Sequence, residues 1–207
     1  MPKATFFNLS EDKQERIMAA AVEEFSKYDY NEVTVSKIVK EAGIPKGSFY
    51  QYFEDKFDLF KYIILLVGEK KKVYFADVFL EMNQKGFFEL LNDMYKAGLR
   101  FACDNPKYSN IGTLLVKSSD SGLLNRIYEG VGGQIDDFLG PFIQKAIDKG
   151  ELRDDIDISF LNYIFGQLNM IFADYFFNVK GGSDINAYVE EIDVMLELFK
   201  NGVAKKS

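Results

Sequence analysis

The chain has 207 residues, 47% hydrophobic and 28% charged, which suits a globular protein holding one large domain or a small domain joined to a larger one. A single cysteine, Cys103, forbids an internal disulfide and any cysteine metal cage, and the lack of histidine removes the commonest zinc ligand and general base, so neither an enzyme nor a metal or cofactor site is expected. The net charge of −7 argues against nucleic-acid binding on composition alone, and residues 1–60 hold 8 Lys/Arg against 11 Asp/Glu, so any such role must rest on pattern and placement.

The N-terminal residues lack the apolar stretch of a signal peptide, which makes the expected location cytoplasmic. Ile17, Ala20, Ala21, Val22 and Phe25 keep helical spacing, with Ser10 as N-cap and Glu11 and Asp12 in the first turn, predicting a helix over 11–28. Thr34 caps a short helix whose apolar face is Val35, Ile38, Val39 and Ala42, and Gly43 stands where a left-handed terminator is wanted. A second short helix starts near Lys46 and carries Phe49 and Phe53 at i, i+4. Two short helices across so tight a turn form a helix-turn-helix within residues 10–56.

Asp55 caps a long fourth helix with Leu59, Tyr62, Ile63, Leu66 and Val67 on one face, followed by Tyr74, Phe75, Val78 and Phe79. Further helices are expected at 86–104, 106–117, 121–149, 158–179 and 184–202, punctuated by Gly86, Asn105-Pro106, Gly150 and Gly181-Gly182. No strand alternation occurs. The expected fold is all-α with about nine helices: a three-helix helix-turn-helix domain over 1–56 and a helical bundle over 57–207. Residues 158–179 carry one charge, Asp174, but Asn162, Gln167, Asn169 and Asn178 interrupt the segment, so it reads as a packed internal helix and no membrane is expected.

In a helix-turn-helix the N-terminal half of the second helix enters the major groove while the first lies over the backbone. Lys46, Ser48, Gln51 and Tyr52 project away from or flank the Phe49/Phe53 face, with Tyr50 beside them. Gln51 suits a bidentate pair with adenine and Tyr50 a thymine methyl. Thr34, Ser36 and Lys56, at helix N-termini, are the expected phosphate clamps, and Gly47 lets the backbone approach closely. Phe49, Phe53, Phe57 and Phe60 read as core packing, and Lys70, Lys71 and Lys72 as a solvated helix face.

On 158–179, Asn162, Gly166, Asn169 and Ala173 share one stripe, with Ile164, Leu168, Ile171 and Tyr175 elsewhere around the helix. A helix apolar or small on nearly all sides needs cover on nearly all sides, and a symmetric copy supplies it, pairing this helix and 184–202 with their mates. Asn110, Thr113, Tyr128, Tyr163, Gln167 and Asp174, with Met170, are the candidate pocket residues, and Phe101, Phe138, Phe142, Phe165 and Phe172 make any cavity apolar. The expected effector is a small apolar molecule, neutral or cationic given the acidic balance.

Residues 17–59, IMAAAVEEFSKYDYNEVTVSKIVKEAGIPKGSFYQYFEDKFDL, resemble the DNA-binding domain of the tetracycline-repressor (TetR) family. The resemblance covers about a fifth of the chain and rests on Ala20-Ala21, Phe25, Tyr30, Thr34, Ile38, Ala42-Gly43-Ile44, Lys46 to Tyr50, Tyr52-Phe53 and Lys56. AIDKGELRDDID at 146–157 is similar to the family's turn before its eighth helix. Asp29 departs from a usual Gly, and Pro45 from a usual Ser that caps the recognition helix, so weaker or shifted backbone contacts are expected there. The resemblance implies a homodimer on a roughly palindromic double-stranded operator, with a C-terminal domain whose small ligand controls DNA affinity: a ligand-responsive transcriptional repressor. The alternative is a small-molecule binding module with a degenerate helix-turn-helix that does not bind DNA.

Overall fold

The computed structural model describes residues 1–118, 120, 122–130, 139–175, 179–181 and 184–203. Its elements are α1 (Ala4–Phe7), α2 (Glu11–Lys27), α3 (Val35–Glu41), α4 (Lys46–Tyr52), α5 (Lys56–Glu81), α6 (Phe87–Asp104), α7 (Pro106–Val116), α8 (Leu123–Gly130), α9 (Gly140–Asp148), α10 (Ile158–Asp174) and α11 (Ile185–Val203). The fold is all-α, as expected, with the helix-turn-helix at α3 and α4. Two details differ from the sequence reading. The short α1 was not foreseen, and the span 121–149, expected as one helix, holds α8 and α9, with 131–138 outside the described residues. Among the described residues no helix is long and apolar enough to cross a membrane.

Two compact units share the chain. The first takes Met1–Val73 and Phe101–Gln134, the second Tyr74–Arg100 and Ile135–Ser207. In the first, Ile17, Ala21, Phe25, Ile38, Phe49, Phe53, Leu59 and Ile63 are fully buried. Local chemistry sets the element ends. Thr34 Oγ1 accepts the Lys37 N–H at 3.3 Å and so caps α3. Gly43 takes φ +64, which lets its N–H reach Lys40 O at 3.2 Å and the Ile44 N–H reach Val39 O at 3.0 Å, a Schellman closure that few other residues enter without strain. Asp55 Oδ1 accepts the Asp58 N–H at 2.8 Å and starts α5, while Asp58 Oδ2 accepts the Glu54 N–H at 3.3 Å. Ser10 occupies the N-cap of α2 but forms no side-chain cap hydrogen bond. Asp29, the departure noted above, is used locally, its Oδ1 accepting the Asn31 N–H at 2.9 Å.

The second unit is built around Leu91, Ile143, Leu152, Phe165, Tyr188 and Ile192. Tyr95 is buried there and donates its hydroxyl to Phe165 O at 2.7 Å, which satisfies the one polar atom that its ring carries into the core. Gly150, at φ +72, closes α9 as Gly43 closes α3, with the Glu151 N–H on Ala146 O at 2.8 Å. Asp157 caps α10 by accepting the Phe160 N–H at 2.9 Å.

Within the first unit α7 packs on α2, and Glu23 marks the join: Lys107 on α7 reaches it at 2.6 Å and Lys27 reaches it from one turn along α2. The hydrogen bonds from Lys107 and Lys27 hold the Glu23 carboxyl down from the ordinary 4.5 to about 2. A carboxylate depressed by folding contributes stability above its unfolded pKa, and that contribution is lost as pH falls towards the folded value. Glu23→Gln is therefore expected to flatten the loss of thermal stability between about pH 4.5 and 2, read as melting temperature against pH. A parent and variant with parallel acid profiles would remove Glu23 from the α2–α7 join.

Candidate nucleic-acid interface

α4 has two sides. Phe49, Tyr52 and Phe53 are buried, and Lys46, Gly47, Tyr50 and Gln51 are exposed at i, i+1, i+4 and i+5, one face of a 3.6-residue helix. Ser48 is half-buried between them. Phe49 and Phe53 lie 5.4 Å apart by ring centroid, and Phe49 also meets the Tyr50 ring edge-on at 5.3 Å, which fixes the root of the outward-pointing tyrosine. Thr34 and Ser36 on the N-terminal side of α3 are exposed, as are Lys37 and Lys40.

Two of the residues expected to contact DNA, one at the groove and one at the phosphates, are turned inward. Tyr52 is only 5% exposed and packs against Phe6 at 6.4 Å, because i+3 from Phe49 falls on the buried side of the helix. Its placement corrects the reading that turned it outward. Lys56 is half-buried, and its Nζ donates to Tyr30 O at 2.6 Å and Val33 O at 2.9 Å while lying 4.2 Å from the Tyr30 ring centroid. Burial pushes its ammonium pKa down. This lysine ties the start of α5 to the α2–α3 connection. The Thr34 hydroxyl, in turn, is engaged as the α3 cap.

The acidic balance of residues 1–60 is answered by placement. No acidic residue lies in α4. Asp12 pairs with Arg16 at 3.2 Å, Glu23 with Lys27 and Lys107, and Glu24 lies 3.9 Å from Lys37, whose Nζ also stands 4.5 Å from the Tyr28 ring. Asp58 is buried. Four of the carboxylates, Asp12, Glu23, Glu24 and Asp58, are thus engaged or buried on α2 and at the start of α5.

The N-terminal residues were not singled out from sequence, yet they reach α4. Lys3 donates its N–H to Tyr52 O at 2.8 Å and its Nζ to Tyr50 O at 2.9 Å, Thr5 donates its hydroxyl to Gln51 O, and Phe6 is fully buried. The Phe6-Phe7 pair ahead of a polar helix start was the one available signal.

Of the candidate pocket residues, Asn110 is exposed and Thr113 half-buried in the first unit, with the Thr113 hydroxyl donating to Ser109 O at 3.2 Å along its own helix. In the second unit Tyr163 is exposed and Gln167 half-buried on α10. The side chains of Tyr128, Met170 and Asp174 lie outside the described residues, as does Phe138. Among the described residues each unit has a shallow hollow, one beside Phe25, Tyr30, Phe60 and Ile111 and one beside Phe87, Leu90 and Phe142.

Of the stripe expected at a symmetric interface, Gly166 is exposed and Asn162 half-buried, while the side chains of Asn169 and Ala173 lie outside the described residues. The open side of α10 is instead marked by Phe160, Tyr163, Ile171 and Tyr175, and that of α11 by Val194 and Leu198, 71% and 73% exposed.

Residues 17–63 match the family model described as bacterial regulatory proteins, tetR family. The fatty acid metabolism regulator protein of Bacillus subtilis (strain 168) is 25% identical over 94% of this chain and 97% of its own length. A TetR family transcriptional regulator of Chloroflexus aurantiacus J-10-fl superposes over 100% of both chains with a TM-score of 0.71 at 26% identity. The transcriptional regulator FadR of Bacillus subtilis, solved in complex with stearoyl-CoA, shares the fold with a TM-score of 0.67 at 23% identity over 90% of this chain and 97% of that one. With the helix-turn-helix geometry above, residues 17–63 match a DNA-binding domain of the tetR type, and the chain as a whole is similar to bacterial regulators that carry it.

Proposed function

We infer that the protein is a cytoplasmic, ligand-responsive transcriptional repressor whose residues 1–56 bind a palindromic operator as a homodimer and whose residues 57–207 take a small apolar effector that sets DNA affinity. The observation that carries this reading is α4 itself, with an apolar side locked into the core and an exposed side of Lys46, Gly47, Tyr50 and Gln51 free of any carboxylate. Gln51 reads a base edge, Tyr50 lies against the groove, Gly47 admits the backbone, and Lys46 with Ser48, Ser36 and the α3 start at Thr34 fixes the register on phosphates.

The two lysines separate by salt. Lys46→Ala is expected to weaken binding to every sequence and to lower the salt slope by about one, and Gln51→Ala to relax preference at one base pair by about 1 to 3 kcal/mol. Lys56→Met is expected to leave the salt slope alone and to cost about 1 to 3 kcal/mol of folding stability through its two lost carbonyl contacts. Fluorescence anisotropy with the upstream region of the protein's own gene at several salt concentrations, beside urea denaturation, measures all three. A parent protein with no saturable, salt-sensitive binding sinks the repressor reading.

The homodimer is supported by the open sides of α10 and α11. Phe160, Tyr163 and Ile171 on α10 and Val194 and Leu198 on α11, all exposed, are costly to leave in water and suit a self-complementary contact. Ile171→Glu or Leu198→Glu sets like charges near each other across such an axis without disturbing the core. Each is expected to turn a sedimenting dimer into a folded monomer with much weaker operator binding; an unchanged dimer would place the contact elsewhere.

A fatty acyl tail is the first candidate for the apolar part of the effector, since one relative is a fatty acid metabolism regulator and one protein of the same fold was solved with stearoyl-CoA. Thermal-shift assays with a long-chain fatty acid, its coenzyme A thioester and a cationic amphiphile are expected to raise the melting temperature with at least one of them, and that compound to change operator affinity. Reciprocal coupling is required of a repressor; ligand affinity indifferent to operator would favour a binding module with a silent helix-turn-helix.

A further inference from the structure

The recognition helix has an unusual support at its C-terminal end. α4 is seven residues long, Lys46–Tyr52, and a helix of that length is not stable by itself in water. Its chain leaves helical geometry at Phe53, where φ is −131 and ψ 149, so the carbonyls of Tyr50, Gln51 and Tyr52 have no partner four residues on. All three are met by residues 3 and 5. Lys3 Nζ donates to Tyr50 O at 2.9 Å, the Thr5 hydroxyl to Gln51 O, and the Lys3 N–H to Tyr52 O at 2.8 Å. Between these contacts Phe6 is buried against Phe53 at 5.0 Å, Tyr52 at 6.4 Å and Tyr62 at 6.1 Å. A lysine ammonium at a helix C-terminus also complements the negative end of the helix dipole.

We propose that Lys3, Thr5 and Phe6 form a non-contiguous C-cap that positions the recognition helix for operator reading, so that sequence discrimination by Tyr50 and Gln51 depends on side chains about 45 residues earlier in the chain. Two of the three residues whose carbonyls the cap holds, Tyr50 and Gln51, expose their side chains for base reading, and loosening it lets the last turn of α4 fray and Gln51 swing out of register. The role is one of positioning: Lys3 and Thr5 act through α4. This inference rests on the operator-binding function inferred above, and its test therefore includes a readout that needs no DNA.

Amide hydrogen exchange is compared in the full-length parent, Thr5→Val, Thr5→Ser and Lys3→Met. The cap predicts that Tyr52 and Phe53 amides exchange about three- to tenfold faster in Thr5→Val and Lys3→Met, while those of Ala20 to Val22 in α2 keep the parent rate, and that Thr5→Ser restores protection. With operator DNA, Thr5→Val is expected to raise the Kd about three- to tenfold and to narrow the gap between the best and a singly mismatched site, and both variants to keep the parent salt slope. Unchanged α4 exchange in both variants overturns the cap. So does a salt slope that drops by about one in Lys3→Met with α4 protection intact, because Lys3 is then a phosphate contact. A parent that binds no duplex DNA while α4 exchange responds as stated upholds the cap and removes the operator reading.

Discussion

Everything in the first unit turns on how a seven-residue helix is kept in place while one of its sides stays bare. A DNA-reading helix cannot be buried all round, and a short one cannot rely on its own hydrogen bonds. Here the buried side is supplied by Phe49 and Phe53, which sit in an aromatic cluster with Phe6 and Tyr62, and the entry is fixed by the Schellman closure at Gly43. Lys56 then anchors the next helix to the carbonyls of Tyr30 and Val33, so that the scaffold behind α4 is closed by a charge used inwardly. Rigid placement of a few side chains is what this leaves for recognition.

That arrangement resolves the conflict between function and net charge. A protein of −7 does not attract a duplex at long range, and its association with one depends on where its cations stand. Asp12, Glu23 and Glu24 on α2 pair with Arg16, Lys27, Lys37 and Lys107, and α4 carries no carboxylate. In the operator-binding reading, affinity comes from a few placed contacts, which a homodimer would double. In that reading little of the binding energy would be sequence-blind, which favours discrimination against non-specific DNA.

The all-α layout and the ends of α2, α3, α4 and α7 were legible because they are written in local signals: apolar periodicity, Gly43, Thr34 and Asn105-Pro106. Tyr52 was misread although its i+3 relation to Phe49 was available, since aromatic residues suit both a groove and a core. The inward use of Lys56 and the docking of Lys3 and Thr5 were not legible, because their partners are backbone carbonyls far along the chain and carry no side-chain signature. On α10 nearly every position is apolar or small, so periodicity had no contrast with which to separate the side facing Phe165 and Leu168 inwards from the side of Phe160 and Ile171.

The division of the chain bears on how the protein is made. The first compact unit comprises Met1–Val73 and Phe101–Gln134, with α7 resting on α2 through Lys107 and Glu23. Residues of the second unit therefore leave the ribosome before the first unit is complete. α2, α3 and α4 can form early from local contacts, but the face of α2 that receives α7 must wait for some eighty further residues, a non-local closure that slows folding and leaves apolar surface open meanwhile. A fragment ending near residue 56 would carry that open face permanently, so the helix-turn-helix is complete only with α7 from far along the chain.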